Sequence, residues 1–259
     1  MSRATQATEI VVFGRRVVQE ALVLEQVEPL ELRVAERTPG ELRHALHAAA
    51  RARGLEAQVV HAREVSALSG EPRHDQGIVL RLRLQQVMEV ESFLASRTGK
   101  SARAATRVLA FDGLTNSQNI GMIVRSALAS EIDALLWPVA GVPWINGLVV
   151  KASSGTVLRA PVVRCHTLAE GLAAFQGAGF ECLGLDAGGD HSLFELEASH
   201  RLVVAVGNET HGLSADVRSQ LDGTFSIPMG GGVESLNAAV AASLVCYRLF
   251  EQRVSSPRD

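Results

Sequence analysis

The stretch RVLAFDGLTNSQNIGMIVRSALAS, residues 107–130, sets the architecture of the chain. Its opening run VLAF has no polar interruption, the pattern of a strand buried on both faces. Asp112 and Gly113 break that run, a polar turn follows, and from about Asn119 the apolar residues fall at helical spacing. A strand, a polar turn and a helix make one βα unit. The same order recurs downstream in DALLWPV and NGLVVKAS, PVVRC and LAEGLAAFQGAG, FECLGLDA, RLVVAVGNE and LSADVRSQL, TFSIPM and SLNAAVAASLVCYRLFEQR. Such alternation predicts an α/β domain over residues 106–254, with a mainly parallel sheet and helices on both faces. In these sheets ligands bind where loops leave the carboxyl ends of the strands.

Upstream, residues 9–84 read as a smaller α/β unit. Helical spacing follows Gly14 in VVFGRRVVQEALVL, LELRVAER (30–37) is strand-like, and ELRHALHAAARARG (41–54) is a helix ending at a glycine. GIVLRLRL (77–84) alternates apolar residues with arginine, a half-exposed strand that puts Arg81 and Arg83 on one face. Residues 85–105, including most of the polar SRTGKSARAAT, read as a connector, with tails at 1–8 and 255–259.

A chain of 259 residues, 47% hydrophobic, is long enough to bury a core of its own. No apolar run is long enough to span a bilayer, and MSRATQATE lacks the apolar centre of a signal peptide. Three widely spaced cysteines, Cys165, Cys182 and Cys246, fit neither a disulfide framework nor a metal site. A cytoplasmic protein with reduced thiols is expected. The net charge of −3 does not by itself advertise a nucleic-acid partner. Lys100 and Lys151 are the only lysines, so nearly all positive charge is arginine, a residue suited to bidentate phosphate contacts.

Three loops could carry chemistry. DGLTNSQNIGMIVRSALA (112–129) leads into a helix that Asn119 is expected to cap, with Arg125 nearly two turns in. In VVAVGNETHGLS (203–214) a hydrophobic strand ends at Gly207, which puts Glu209 at a carboxyl end, while Ser214 is expected to cap the next helix. IPMGGGVESLNAAVAASL (227–244) pairs a glycine loop with Ser235 and Asn237 at a helix start. Its spacing is not that of a P-loop, and no lysine follows the glycines. Free backbone groups and apolar walls suit a flat, largely uncharged ligand. The residues alone therefore lead to a small-molecule site built from three loops.

In this order and spacing the segments NSQNIGMIVRSA, VGNETHGLS and IPMGGGVESLNAAVA resemble the motifs of SpoU-type (TrmH-like) RNA 2′-O-ribose methyltransferases of the SPOUT superfamily. Less strongly, GRRVVQEAL and HDQGIVLRL are similar to that family's substrate-binding domain of ribosomal-protein-L30e type. Ser117 stands where the family often has proline, a change in turn stiffness. The resemblance implies a C-terminal α/β trefoil-knot domain with a small N-terminal α/β domain, a homodimer with a composite active site, and S-adenosylmethionine as cofactor. By position, the backbone of Gly207, Ile227 and Leu236 would hold the adenosyl group, with Leu185 and Met229 lining the pocket. Asn119, Arg125, Glu209, Ser235 and Asn237 would form the catalytic set. Lys151, Ser154 and Gly155 match a further family segment near the dimer or RNA surface.

The expected substrate is a ribose 2′-hydroxyl in structured RNA, ribosomal RNA ahead of transfer RNA, with no membrane and no metal involved. Arg15, Arg16, Arg81 and Arg83 are candidate phosphate contacts. Two other classes compete. A non-catalytic RNA- or ribosome-binding protein on the same scaffold is opposed by the filled catalytic positions. A nucleotide-dependent metabolic enzyme is opposed by the missing phosphate fingerprints.

Overall fold

The computed structural model describes residues 8–97 and 105–255. The remainder of the two tails and residues 98–104 of the connector lie outside the described residues. In chain order the elements are β1 (Glu9–Phe13), α1 (Arg15–Val23), β2 (Val27–Ala35), α2 (Gly40–Ala52), β3 (Ala57–Val60), α3 (Ala62–Ser69), β4 (Ile78–Leu84), β5 (Val87–Glu89), α4 (Val90–Ser96) and β6 (Thr106–Phe111). They continue with α5 (Ser117–Ala129), β7 (Ala134–Pro138), α6 (Gly147–Ala152), β8 (Val162–Cys165), α7 (Leu168–Gly177), β9 (Glu181–Leu185), β10 (His191–Ser192), β11 (Arg201–Val206), α8 (Ala215–Arg218), β12 (Gly223–Ser226) and α9 (Ala238–Ser255).

The chain divides into two compact units. The first comprises residues up to Gln86 together with Ile145–Arg159, and the second comprises Val87–Trp144 and the residues from Ala160 onward. Sequence periodicity assigns 145–159 to the larger domain, whereas in the structure α6 and the turn after it pack within the first unit. The reason is a close fit. A Cβ on Gly147 would lie 2.1 Å from the ring of Phe13, so the absence of a side chain lets α6 rest directly on the end of β1.

The first unit has a four-stranded sheet in the order β1-β4-β2-β3. Strand β4 is antiparallel to both its neighbours, and β2 pairs with β3 in parallel. Alternation along β4 buries Leu80, Leu82 and Leu84 on one face. On the other face Arg81 bridges Glu9 and Glu31, and Arg83 bridges Glu9 and Glu28 at 2.7–3.2 Å. Glu9 is held below the usual carboxylate range, first by the hydrogen bond from Arg83. Burial works to raise Glu31, but the bonds from Arg33 and Arg81 outweigh it and hold it low. The guanidinium of Arg53 caps the end of α1, donating to the carbonyls of Leu22, Leu24 and Val27 at 3.1, 2.6 and 2.6 Å.

The second unit is an eight-stranded, wholly parallel sheet in the order β10-β12-β9-β11-β6-β7-β8-β5. All six residues of β6 are buried, and its neighbours β11 and β7 are nearly so, which is why these strands read as unbroken apolar runs. Residues 87–96, which the sequence reading leaves in the connector, instead form the edge strand β5 and helix α4. They were hard to see because three residues are too short for a period, while Val90 and Phe93 prove to be core. Phe93, Phe175 and Phe180 pack in a row, the first pair tilted and the second edge-to-face, with ring centroids 5.7 and 4.9 Å apart. Among the described residues no helix is long and apolar enough to cross a membrane.

Candidate active site

Strand order creates the site. From β6 the chain proceeds to β7 on one side, whereas from β11, the other neighbour of β6, it proceeds to β12 on the opposite side. Loops leaving β6 and β11 therefore diverge at a switch point, the place where parallel sheets open a crevice.

The two loops are stitched together. Asp112 accepts from the backbone N–H of Ser214 at 2.6 Å and from its hydroxyl at 3.3 Å. Asn208 donates from Nδ2 to the Gly113 carbonyl at 3.0 Å. Asn208 and Gly212 exchange two backbone bonds of 3.0 and 2.9 Å, closing the 208–212 loop. The fold-back requires Gly207, because a Cβ there would meet the Gly212 backbone at 2.3 Å.

Two capping expectations are corrected. Helix α5 starts at Ser117 and its cap is Asn116, which has extended backbone geometry and accepts from the N–H groups of Gln118 and Asn119 at 2.8 and 3.4 Å. Asn119 is thus inside the first turn, 6% exposed, with its side chain free of capping duty. Ser214 does occupy the cap position of α8, but its hydroxyl is spent on Asp112 and makes no cap bond.

Asn119, Glu209 and Asn237 come together at this point. The Oε1 atom of Glu209 accepts from Asn119 Nδ2 and Asn237 Nδ2, each at 2.5 Å, and from the backbone N–H of Ala238 at 3.0 Å. Asn237 also donates to Asn119 Oδ1 at 3.2 Å. At the same time Asn237 Oδ1 caps α9, accepting from Ala239 and Val240 at 3.0 and 3.4 Å. A carboxylate at the N-terminus of an eighteen-residue helix is favoured by the helix dipole.

Beside this cluster is a cleft of about 440 Å³, within the size range of small-molecule sites. Leu185, Gly207, Ile227, Met229 and Leu236 all line it, as do Glu209 and Ser235. Gly231 and Gly232 adopt φ of 65° and 76° in the loop that closes one side. The carboxylate of Asp186 pairs with Arg218 at the cleft wall, a contact that sequence reading missed because 32 positions separate the two side chains. Arg125 belongs to the exposed face of α5, six residues beyond Asn119 and about 120° around the helix. Met122 shares that face, and on the adjacent helix α9 the stripe Val240, Leu244 and Tyr247 is 50%, 37% and 51% exposed. The helices are joined by a 2.7 Å hydrogen bond between Ser126 and Ser243.

Burial pushes the thiols of Cys165, Cys182 and Cys246 up to about 12, so none is a ready nucleophile. The remaining sequence-derived candidates lie in the first unit. Arg81 and Arg83 are engaged with carboxylates as described, whereas Arg15 and Arg16 open the exposed start of α1.

Comparison with known proteins fits this geometry. The SpoU rRNA methylase family matches residues 106–247. A protein of Staphylococcus saprophyticus named for the TrmH family of tRNA/rRNA methyltransferases is 31% identical over 245 residues, 95% of this chain and 96% of its own length. An uncharacterized tRNA/rRNA methyltransferase of Mycolicibacterium smegmatis is 36% identical over 203 residues, 78% of this chain but only 64% of that protein. Among solved structures, the SpoU methyltransferase AviRb from Streptomyces viridochromogenes, in complex with AdoMet, superposes with a TM-score of 0.77 at 25% identity, covering 99% of this chain and 96% of its own. An AdoMet-bound rRNA methyltransferase from Sinorhizobium meliloti shares the fold with a TM-score of 0.75 at 18% identity, covering 97% and 90%.

The chain belongs to the SpoU rRNA methylase family.

Proposed function

We propose that the protein is an S-adenosylmethionine-dependent methyltransferase acting on a ribose 2′-hydroxyl in structured RNA, with ribosomal RNA as the substrate and transfer RNA as the alternative. The observation that carries this reading is the joining of Asn119, Glu209 and Asn237 beside a cleft lined by every residue that positional resemblance assigns to the cofactor.

The cleft fits the cofactor chemically. Apolar side chains of Leu185, Ile227, Met229 and Leu236 suit a flat purine, and the backbone of Gly207, where no side chain intervenes, suits its polar edge. When bound there, S-adenosylmethionine supplies an electrophilic sulfonium methyl. The protein's own residues must then position a weakly nucleophilic hydroxyl and manage its proton. A guanidinium does not give up its proton at neutral pH. Arg125 therefore acts as a cation that grips the phosphate beside the target ribose and stabilises developing alkoxide charge. Asn119 and Glu209 orient the ribose, and Ser235 and Asn237 shape the loop between the two ligands.

This reading includes a homodimer. The exposed apolar stripe on α9 beside the face of α5 that bears Met122 and Arg125 supports it, since a second copy covering that stripe would bring Arg125 to a composite site. It also includes a trefoil knot at the C-terminal end, supported by the insertion of β11 between β9 and β6 and the return of α9 onto α5. The first unit is read as the L30e-type substrate-binding domain.

Transfer of labelled methyl from S-adenosylmethionine to ribosomal RNA and, in parallel, to transfer RNA, mapped by resistance of the modified linkage to alkali, tests the assignment. Label in a base, or none in either RNA, would overturn it.

A further inference from the structure

Most arginines in this protein are engaged. Arg81, Arg83, Arg218, Arg248 and Arg253 are in ion pairs, Arg53 and Arg107 donate to carbonyls, and Arg97, Arg164 and Arg201 lie over aromatic rings. Arg15, Arg73 and Lys151 have no such partner among the described residues. All three line one cavity of about 270 Å³ in the first unit, together with Arg16 and His74. Glu20 is the one carboxylate in the lining, and Arg16 occupies it at 2.8 Å.

These cations come from three separate parts of the chain: the start of α1, the loop before β4, and the end of α6. Each part is fixed by backbone features that need an explanation. Gln76 adopts φ 53° and its side chain caps the N–H of Arg15 at 2.9 Å. Ser154 adopts φ 53° in the turn after α6, and like Gln76 it lines the cavity. Non-glycine residues in the left-handed region are uncommon and concentrate at binding sites. The Gly147–Phe13 fit brings Lys151, which lies inside the family-matched segment, onto the first unit.

We infer that this cavity is a phosphate-binding site whose ligand is a phosphodiester or phosphomonoester oxyanion. Like charges left unpaired around one hollow are stabilised by an anion, and guanidinium groups match phosphate oxygens bidentately. At about 270 Å³ the hollow is close to the lower bound for drug-sized ligands, room for a phosphate with part of its sugar. A second cavity of about 260 Å³ shares Glu20 and Ser154 with the first and ends at Arg159. That continuation favours successive phosphates of an RNA backbone over one free anion. In that form the inference rests on the RNA-methyltransferase reading, and it gives the first unit its contact residues.

The test uses the full chain, wild type and the triple variant Arg15→Gln, Arg73→Gln, Lys151→Gln. These side chains are exposed, so the fold is retained, checked by S-adenosylmethionine affinity in the cleft of the second unit, which contains none of the three residues. A fluorescein-labelled RNA hairpin is titrated from low to high salt, because phosphate contacts are read through the salt slope whatever the sequence. In a second arm, inorganic phosphate and cytidine monophosphate are titrated while the arginine Nε–H signals are followed by NMR. Weakening of RNA binding on the order of 10- to 100-fold, with a log–log slope shallower by about 2, identifies an RNA backbone as ligand. Shifts of the Arg15 and Arg73 signals with the small anions, weakened in a Lys151→Gln single variant that keeps both arginines, identify a free phosphate compound if the RNA affinity of the triple variant is unchanged. If RNA affinity and slope do not depend on the three residues and neither anion moves those signals, the site is refuted. Binding is scored without methyl transfer, so an RNA that binds in this way but accepts no methyl would sink the activity and leave the site standing.

Discussion

Asn119 and Asn237 are 118 positions apart, yet both donate to the same oxygen of Glu209 at 2.5 Å. One carboxylate, itself lining the cleft, thus ties the first turn of α5 to the cap and first residue of α9. Bonds to a charged acceptor contribute about 1.5–3 kcal/mol each, and a buried donor that loses its acceptor is costly.

Replacing that carboxylate should therefore affect both stability and chemistry. Glu209→Ala leaves Asn119 and the N–H of Ala238 without their acceptor, and is expected to lower unfolding free energy by about 2 kcal/mol. Methyl transfer should fall at least about 100-fold, the scale for removing a positioning group in a preorganised site. Urea denaturation and initial rates check the two effects. A variant with wild-type stability and rate would show that the cluster is incidental.

Arg125 is on an exposed helix face, so its truncation should cost less than about 0.5 kcal/mol. Arg125→Ala is expected to abolish methylation while S-adenosylmethionine binding, measured by calorimetry, survives. Leu244→Arg tests the same face differently, through sedimentation: it should yield monomers and lose activity together with the dimer. Near-normal turnover of Arg125→Ala would remove Arg125 from the proposed chemistry, and near-normal turnover of a monomeric Leu244→Arg would remove the proposed dimer from it.

Gly231 has φ 65° with open space around it, so a larger side chain meets no neighbour but strains the backbone. Gly231→Val should shift the glycine loop, at a cost of about 1–3 kcal/mol, and weaken S-adenosylmethionine affinity roughly 10-fold or more. Unchanged affinity would separate the glycine loop from the cofactor pocket.

Acid should destabilise the first unit through Glu9 and Glu31. Both carboxylates are held low in the folded state, so the unfolded chain binds their protons more readily. Their contribution is complete above the unfolded value of about 4.5 and is lost as pH falls through the lower folded value. Arg83→Met removes the hydrogen bond that does most to hold Glu9 low. Its stability should decline less between about pH 5 and pH 3 than that of the wild type, as measured by urea midpoints. Parallel profiles would mean that Arg83 does not perturb Glu9 in solution.

The sequence by itself determined the strand and helix order of the larger unit, because strands such as 106–111 and 201–206 are buried on both faces and leave no room for polar residues. It also determined the three loops, whose glycines and polar residues mark where the chain must turn and where side chains can meet a ligand. It could not see Val87–Glu89, too short to show a period. It chose Asn119 over Asn116 as the cap, because two asparagines three residues apart look alike until the first helical hydrogen bond is placed. Only tertiary structure decided the groupings that span the chain: Glu209 between two distant asparagines, Asp186 against Arg218, and α6 packed on β1. Alternation correctly put Arg81 and Arg83 on one face, but their partners Glu9, Glu28 and Glu31 come from strands that only sheet pairing brings alongside. The physical reason is common to all these cases. Periodicity reports which face of a local element is dry, whereas ion pairs, shared acceptors and close glycine contacts depend on which elements become neighbours when the hydrophobic faces are buried together.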